Sequence, residues 1–142
     1  MFYSDLVKKA ATISFEAHKS DKDKSGYPYF MHPMILATQF YDETSVCAAL
    51  LHDVVEDHGD IYSFEYLEKE GFYKEIIEAL KLLTHKQEIE YLDYIKTIKA
   101  NSTARKIKLA DLRHNTDLRR SHGIKPPKYE TYLKAINILS SE

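Results

Sequence analysis

The sequence predicts an all-α protein, a single-domain orthogonal helical bundle, and three observations support this fold class. Apolar residues recur at helical spacing along most of the chain, and no segment shows the strict alternation of a half-buried strand. Only four glycines and four prolines are present, too few for a fold built from many hairpins. With 142 residues and 44% hydrophobic side chains, residues 1–142 are expected to form one domain with a substantial core.

Bulk composition narrows the expected partners. The formal net charge of −2 gives no bias toward nucleic acid or anionic membranes. Cys47 is the only cysteine, so neither a disulfide framework nor a cysteine-ligated zinc site is expected. The first residues lack a targeting signal, and no apolar run approaches the ~18 residues of a membrane span. We expect a cytoplasmic protein with a small-molecule partner; the sequence does not indicate its oligomeric state.

The first half of the chain predicts three helices. The first has Ser4 or Asp5 as its cap and an apolar repeat formed by Leu6, Ala10, Ile13 and Ala17. After a polar loop over 19–28, His32–Pro33 opens a second helix, because proline is tolerated in a first turn. Its predicted inner face consists of Met34, Ile35, Thr38 and Tyr41. The central helix is predicted from about Glu43 to Asp57.

The second half predicts five more helices. A short helix is predicted over 64–70, and two amphipathic helices follow it. The apolar face of the first amphipathic helix contains Ile76, Ile77, Leu80 and Leu83. That of the second contains Tyr91, Tyr94, Ile95 and Ile98. Asn101 is expected to begin a long helix that reaches Leu118. Pro126–Pro127 then breaks the chain before a closing helix whose apolar residues are Tyr129, Tyr132, Leu133, Ile136 and Leu139.

The end of the central helix carries an unusual cluster of ionisable side chains. At helical spacing, His52 lies one turn from Glu56, and Asp53 lies one turn from Asp57. Three carboxylates would lie in the last turn of this helix, where the helix dipole already places a partial negative charge. A half-buried cluster of this kind is unfavourable without a cation, which indicates a bound divalent metal.

Two further residues are candidates to complete a metal site. His32 lies at a helix start between Met31 and Pro33, and Asp111 lies on an otherwise apolar helix face. Two histidines and two carboxylates form a nitrogen and oxygen ligand set that suits Zn²⁺, Mn²⁺, Fe²⁺ or Co²⁺. Open coordination positions would then bind water and a phosphate oxygen, as hydrolytic metal sites require.

Simpler interpretations of the same residues stay open at this point. His52–Asp53 would also serve as a buried hydrogen-bonded pair, and His32 as a helix cap. Asp111 has arginines within reach on its own helix, Arg105 and Arg113, with which it would form an ion pair. Glu56 and Asp57 would also serve as solvated helix-end acids.

These residues resemble a known family. His32, His52–Asp53 and Asp111 reproduce the H…HD…D pattern of the HD-domain metal phosphohydrolases. Within that superfamily, four ordered segments resemble the hydrolase domain of the RelA/SpoT family and its small single-domain relatives: 17–18, 24–33, 49–57 and 107–115. The resemblance spans residues 5 to 120 and implies the all-helical fold of an HD-type hydrolase domain.

The resemblance also implies an activity and a role for each site residue. The family removes the 3′-pyrophosphate from guanosine tetra- or pentaphosphate with Mn²⁺. The implied metal ligands are His32, His52, Asp53 and Asp111. Glu56 and Asp57 match the acidic pair that positions or activates the attacking water. Lys24 matches a basic residue of the substrate pocket, and Asn115 a residue near the nucleotide; a solvated lysine and a structural asparagine are the alternatives.

One position departs from the family pattern. Where the family usually has an arginine that packs on guanine, this chain has Asp23, which cannot stack and would repel phosphate. Two other functions are therefore considered beside hydrolysis of guanosine tetra- or pentaphosphate. One is an HD-type phosphohydrolase that acts on another nucleotide or phosphoester, and the other is a non-catalytic nucleotide-binding module. Other histidines are expected to be structural or exposed: His18, His58, His85, His114 and His122. A basic set is expected to form a solvated helix face: Arg105, Lys106, Lys108, Arg113, Arg119 and Arg120.

Overall fold

The computed structural model describes residues 1–142, which form helices joined by loops. In chain order these are α1 (Asp5–His18), α2 (Met31–Ala37), α3 (Glu43–Leu51), α4 (Val54–His58), α5 (Phe64–Lys69), α6 (Lys74–Leu83), α7 (Tyr91–Ile98), α8 (Ser102–Asn115) and α9 (Tyr129–Ser140). An isolated bridge between Lys22 and Pro28 is the only strand-like pairing. None of the helices has both the length and the hydropathy needed to cross a membrane. The predicted all-helical, single-domain fold is confirmed.

Helix α3 lies at the centre of the core. Every residue from Ser45 to Leu51 is buried, and the helix packs against α1, α2, α6 and α8. Asp42 caps its first turn, because one carboxylate oxygen accepts hydrogen bonds from Ser45 N at 2.9 Å and Ser45 Oγ at 2.8 Å. A helix that is apolar all round is the type that a globular core surrounds.

The predicted central helix is interrupted at its most polar point. Instead of continuing to Asp57, α3 ends at Leu51, and α4 begins at Val54. Asp53 has φ −110° and ψ 0°, outside the helical region, and occupies the cap position of α4. This turn separates His52–Asp53 from the regular ladder, so the two side chains reach the same point, a geometry that an uninterrupted helix would not give.

The buried face of α2 also differs from the prediction. The expected inner residues Ile35, Thr38 and Tyr41 are exposed, whereas the buried residues are His32, Pro33, Leu36 and Ala37. The face is rotated because His32 contacts Asp111 inside the protein. Elsewhere the predicted caps are confirmed: Ser4 Oγ accepts from Val7 N, and the Asn101 side chain accepts from Ala104 N. Helix α8 ends at Asn115, three residues before the predicted Leu118.

Candidate functional site

Four side chains from three parts of the chain converge beside the N-terminal end of α4. The ligand atoms of His32, His52 and Asp53 all lie within 4.8 Å of one another. Asp111 Oδ1, from α8, lies 2.8 Å from His32 Nε2 and 3.7 Å from His52 Nε2. The structure therefore brings together all four residues that the sequence suggested as metal ligands.

His52 presents its Nε2 atom to this cluster. Its Nδ1 lies 2.7 Å from the Ala49 carbonyl oxygen, which only accepts hydrogen bonds, so Nδ1 carries the proton. Burial alone would lower the pKa of His52, but the charges of Asp53 and Asp111 and the hydrogen bonds to them outweigh it and raise that pKa well above its ordinary value, so Nε2 carries a proton when no metal is bound. This buried atom lies 3.1 Å from Asp53 Oδ2. The carboxylates around Nε2 thus need a positive charge beside them, and a divalent ion that displaces the proton fits this donor set.

His32 is oriented in a similar way by His114. Their Nδ1 atoms are 2.6 Å apart, and the two rings stack with centroids 4.8 Å apart. Burial, followed by the charge of His32, lowers the pKa of His114 to about 4, so His114 is neutral and accepts the His32 Nδ1 proton. His32 therefore directs Nε2 toward Asp111. The expectation that His114 is structural agrees with this contact.

Asp111 is buried, and its two oxygens are held by different partners. Lys108 Nζ donates to Oδ2 at 2.8 Å, and Asn115 Nδ2 donates to Oδ1 at 3.1 Å. Only 14% of the Lys108 side chain is exposed, so the expectation that it belongs to a solvated face is wrong. The sequence did contain a signal for this ion pair. Lys108 and Asp111 are three residues apart on α8, a spacing that puts both side chains on one face of the helix.

A cavity of about 1150 Å³ lies next to the cluster, although none of the four candidate ligands lines it. Its wall includes Tyr29 and Asn115, which contact the candidate ligands from the cavity side: the Tyr29 hydroxyl donates to Asp53, and the Asn115 amide donates to Asp111. Burial and the charges of Asp53 and Asp111 raise the pKa of Tyr29, which therefore remains a donor. The cluster therefore lies behind Tyr29 and Asn115, next to a cavity large enough for a nucleotide-sized ligand.

The acidic pair of α4 lines one side of the same cavity. Glu56 and Asp57 are both exposed to it, and Glu56 Oε1 also accepts a hydrogen bond from His85 N at 2.7 Å. Partial burial, followed by the charges of Asp53 and Glu56, raises the pKa of Asp57 to about 6. Asp57 has no hydrogen bond from another side chain, so its carboxylate is free to face a ligand or water.

The cavity wall also contains the predicted Lys24 and an unpredicted cation, Arg120. Lys24 is exposed on the cavity wall. Arg120 donates to Asn115 Oδ1 at 3.0 Å and to Asp23 Oδ2 at 3.4 Å. Its expected place on a solvated face is therefore wrong, because three-quarters of its side chain is covered. No local spacing links Arg120 to Asp23, which lies 97 positions earlier in the chain.

Asp23 is engaged in folding its own loop. Its Oδ1 accepts hydrogen bonds from Ser25 N and Tyr27 N, both at 2.9 Å, and Gly26 completes the turn at φ +86°. The carboxylate that was expected to repel phosphate thus has two amide donors and the Arg120 guanidinium around it. Asn115 is likewise held at both ends of its amide, by Asp111 and Arg120.

A second group of histidines lies beside the cavity. His18 is 1% exposed, not at the surface, and its Nδ1 lies 2.9 Å from Asp21 Oδ2. His58 Nε2 lies 2.6 Å from the same oxygen. The His18–Asp21 spacing is visible in the sequence, whereas the contact with His58 depends on how α4 folds against α1.

Comparisons with known proteins identify chains with a similar sequence or fold. No family model matches the chain. A chloroplastic protein of Arabidopsis thaliana named as a GTP diphosphokinase, RSH1, is 33% identical over 115 residues, which is 77% of this chain and 12% of that protein. A GTP pyrophosphokinase rsh of Brucella melitensis is 43% identical over 56 residues, 37% of this chain and 8% of that protein. The chain thus spans about an eighth or less of these relatives' length.

The fold has a solved counterpart. A structure described as a metazoan ortholog of SpoT that hydrolyses ppGpp superposes with a TM-score of 0.76 and 24% sequence identity, over 99% of this chain and 89% of the other. Because the identity is only 24%, this match establishes the all-helical fold alone. The resemblance of this chain to the hydrolase domain of the RelA/SpoT family and its small single-domain relatives is therefore confirmed.

Proposed function

We propose that this protein is a divalent-metal-dependent phosphohydrolase. The observation that carries the proposal is the convergence of two imidazoles and two carboxylates beside a polar cavity, with His52 Nε2 facing oxygens of both Asp53 and Asp111. Hydrolytic metal sites combine such a donor set with open positions toward a substrate cavity. The alternative is a metal-free ion pair between protonated His52 and Asp53, and a protein that binds no metal would support it.

His32, His52, Asp53 and Asp111 would hold the metal, for which we propose Mn²⁺. When bound, the ion would polarise a phosphate oxygen and lower the pKa of a bound water. The protein's own contribution is orientation. The Ala49 carbonyl and His114 fix which nitrogen each imidazole presents, and Lys108, Asn115 and Tyr29 fix the carboxylates.

Asp57 is the better candidate for the proton acceptor of the acidic pair. Its carboxylate is free on the cavity side, whereas Glu56 is partly occupied by the backbone of His85. The raised pKa of Asp57, about 6, also suits a group that takes a proton from water near neutral pH. Glu56 would then position the water and fix the loop between α6 and α7.

The basic wall of the cavity suits a polyphosphate. Lys24, Arg120 and Lys125 all line it and would neutralise phosphate oxygens. Two backbone amides and the Arg120 guanidinium partly compensate the charge of Asp23. The cavity is therefore compatible with an anionic substrate despite this carboxylate. Asn115, bonded to Asp111 and Arg120, would link the metal side of the cavity to the basic wall.

The substrate we propose is guanosine 3′,5′-bis(diphosphate), from which water would displace the 3′-pyrophosphate. Attack of water on the phosphorus bound to the 3′ oxygen breaks that P–O bond, and the products are the 3′-hydroxyl nucleotide and pyrophosphate. The sequence similarity to proteins named as GTP pyrophosphokinases and the fold of a protein described as hydrolysing ppGpp favour this substrate. Asp23, in place of the family's arginine, is the observation that keeps another nucleotide or phosphoester as the second candidate.

A substrate panel separates these possibilities. Purified protein with Mn²⁺ would be given guanosine 3′,5′-bis(diphosphate), its adenosine counterpart, nucleoside 5′-di- and triphosphates and a simple aryl phosphate. We expect pyrophosphate release with a marked preference for the guanosine 3′-pyrophosphate. Faster turnover of another member would transfer the function to that substrate. Tight nucleotide binding with no turnover of any member, across several metals, would identify a non-catalytic binding module.

A further inference from the structure

A second cluster of metal-binding side chains lies outside the four-residue centre. His18 from α1, Asp21 from the following loop and His58 from α4 place their ligand atoms within 4.8 Å of one another. Both imidazoles contact one oxygen, Asp21 Oδ2, at 2.9 Å from His18 Nδ1 and 2.6 Å from His58 Nε2. His58 lies 37 positions from Asp21, so the fold rather than local helix geometry brings the third residue into place.

The donor set suits a late first-row cation. Two imidazoles and one carboxylate are used by zinc and related ions, which require neutral histidines and an ionised carboxylate. Burial lowers the pKa of His18, and hydrogen bonds from His58 and His18 lower that of Asp21. The other nitrogen of His18, Nε2, is buried without a partner, so the contact with Asp21 is the only hydrogen bond that fixes this ring.

The spacing requires a small opening to admit an ion. Ligands held about 2.0–2.1 Å from a tetrahedral zinc ion stand roughly 3.3 Å apart, about half an ångström more than the present contacts. Asp21 and His58 have 32% and 28% of their side chains exposed, so both can move toward the cavity while His18 stays buried. In the metal-free arrangement, hydrogen-bonding protons occupy the place of the ion.

We propose that His18, Asp21 and His58 form a second divalent-cation site, of the zinc class, on the wall of the same cavity. Asp21 and His58 line this cavity, so the remaining coordination positions would be open to water or to an anionic group of a ligand. Tyr29 separates the two centres, with its ring centroid 4.8 Å from that of His18 and 5.6 Å from that of His32. The two sites are therefore distinct neighbours.

Metal stoichiometry tests this assignment. Chelator-stripped protein would be titrated with Zn²⁺, with bound metal measured by equilibrium dialysis, and with Co²⁺, whose visible absorption reports an imidazole-containing site. We expect two equivalents for the wild type, one for His58→Ala or Asp21→Asn, one for Asp53→Ala, and none for the His58→Ala/Asp53→Ala double variant. His122→Ala, which alters a histidine of the cavity wall outside the cluster, should keep two.

The single variants keep this proposal separable from the proposed function. A wild type that binds one equivalent, lost in Asp53→Ala but kept in His58→Ala and Asp21→Asn, would overturn the second site and leave the hydrolytic centre. One equivalent lost in His58→Ala but kept in Asp53→Ala would support the second site and contradict the hydrolytic centre. Circular dichroism of each metal-free variant checks its fold, and Asp21→Asn serves in place of His58→Ala if that variant unfolds.

Discussion

His52 illustrates how single residues are prepared for chemistry in this protein. Its Nδ1–H is committed to the Ala49 carbonyl, so Nε2 is the nitrogen that faces the carboxylates and that a metal ion would bind. His32 is committed in the same way by His114. Each candidate ligand has at least one contact that fixes its orientation, which is the usual arrangement around functional metal centres.

Asp57→Asn tests the role of the acidic pair. The amide keeps the size of the side chain but cannot accept the proton of an attacking water, so we expect kcat to fall about 100-fold or more. Metal binding should stay within twofold of wild type, because Asp57 is not among the proposed ligands. Asp60→Asn, an exposed acid just beyond α4, is the matched control and should keep full activity. A fully active Asp57→Asn variant would exclude Asp57 as the proton acceptor.

Lys108→Met tests the buried ion pair of α8. Removing the lysine leaves the Asp111 carboxylate buried with its charge compensated less well, so we expect a loss of about 3 kcal/mol in the free energy of unfolding. Urea unfolding in the presence of a chelator measures this loss without a contribution from metal binding. Arg113→Met, at an exposed position of the same helix, should change stability by less than about 0.5 kcal/mol. Equal losses in both variants would contradict the account of Lys108.

Among the helices, α3 is the one whose two ends matter most for the core and for the candidate site. Its N-terminus is capped by Asp42, and its C-terminus stops one residue before His52, which frees the His52–Asp53 pair from helical geometry. The apolar run that makes α3 the core helix therefore also positions the candidate centre. A change at either end would affect both the core and the site.

Asp42→Ala tests the cap of α3. Burial acts to raise the pKa of Asp42, but hydrogen bonds from Ser45 and Lys106 outweigh it and leave the pKa below its ordinary value of 3.8. A lowered pKa gives stabilisation that is present above pH 3.8 and lost as the pH falls through the lowered value. We expect Asp42→Ala to lose about 1 kcal/mol at pH 7, with a smaller loss at pH 3.

Asp42→Asn is the matched control for this cap. The asparagine keeps an acceptor for Ser45 N but carries no charge, so its loss should be smaller than that of alanine and independent of pH. Urea unfolding of the three proteins at pH 7, 5 and 3 makes the comparison. An alanine loss that stays constant across this range would show that the carboxylate charge makes no contribution.

For the whole molecule, the fold class was predictable because helical periodicity is a local signal. The grouping of His32, His52, Asp53 and Asp111, which joins distant positions, was instead predicted from polar residues at apolar positions and the resemblance to the H…HD…D pattern. The rotation of α2 and the break at His52–Asp53 were missed, since both follow from satisfying buried polar side chains across the core. Arg120 and the His18–Asp21–His58 cluster were missed because their contacts join distant positions.

The central claim, metal-dependent hydrolysis at the four-residue centre, is tested most directly by release of pyrophosphate from guanosine 3′,5′-bis(diphosphate). Wild type and Asp53→Ala would be assayed with Mn²⁺ and with excess chelator. We predict rapid release only by the wild type with Mn²⁺, because Asp53→Ala removes a carboxylate that lies 3.1 Å from His52 Nε2. Release that persists in chelator or in Asp53→Ala would contradict the central claim, whereas no release by metal-loaded wild type would contradict this substrate and transfer the search to the other members of the panel.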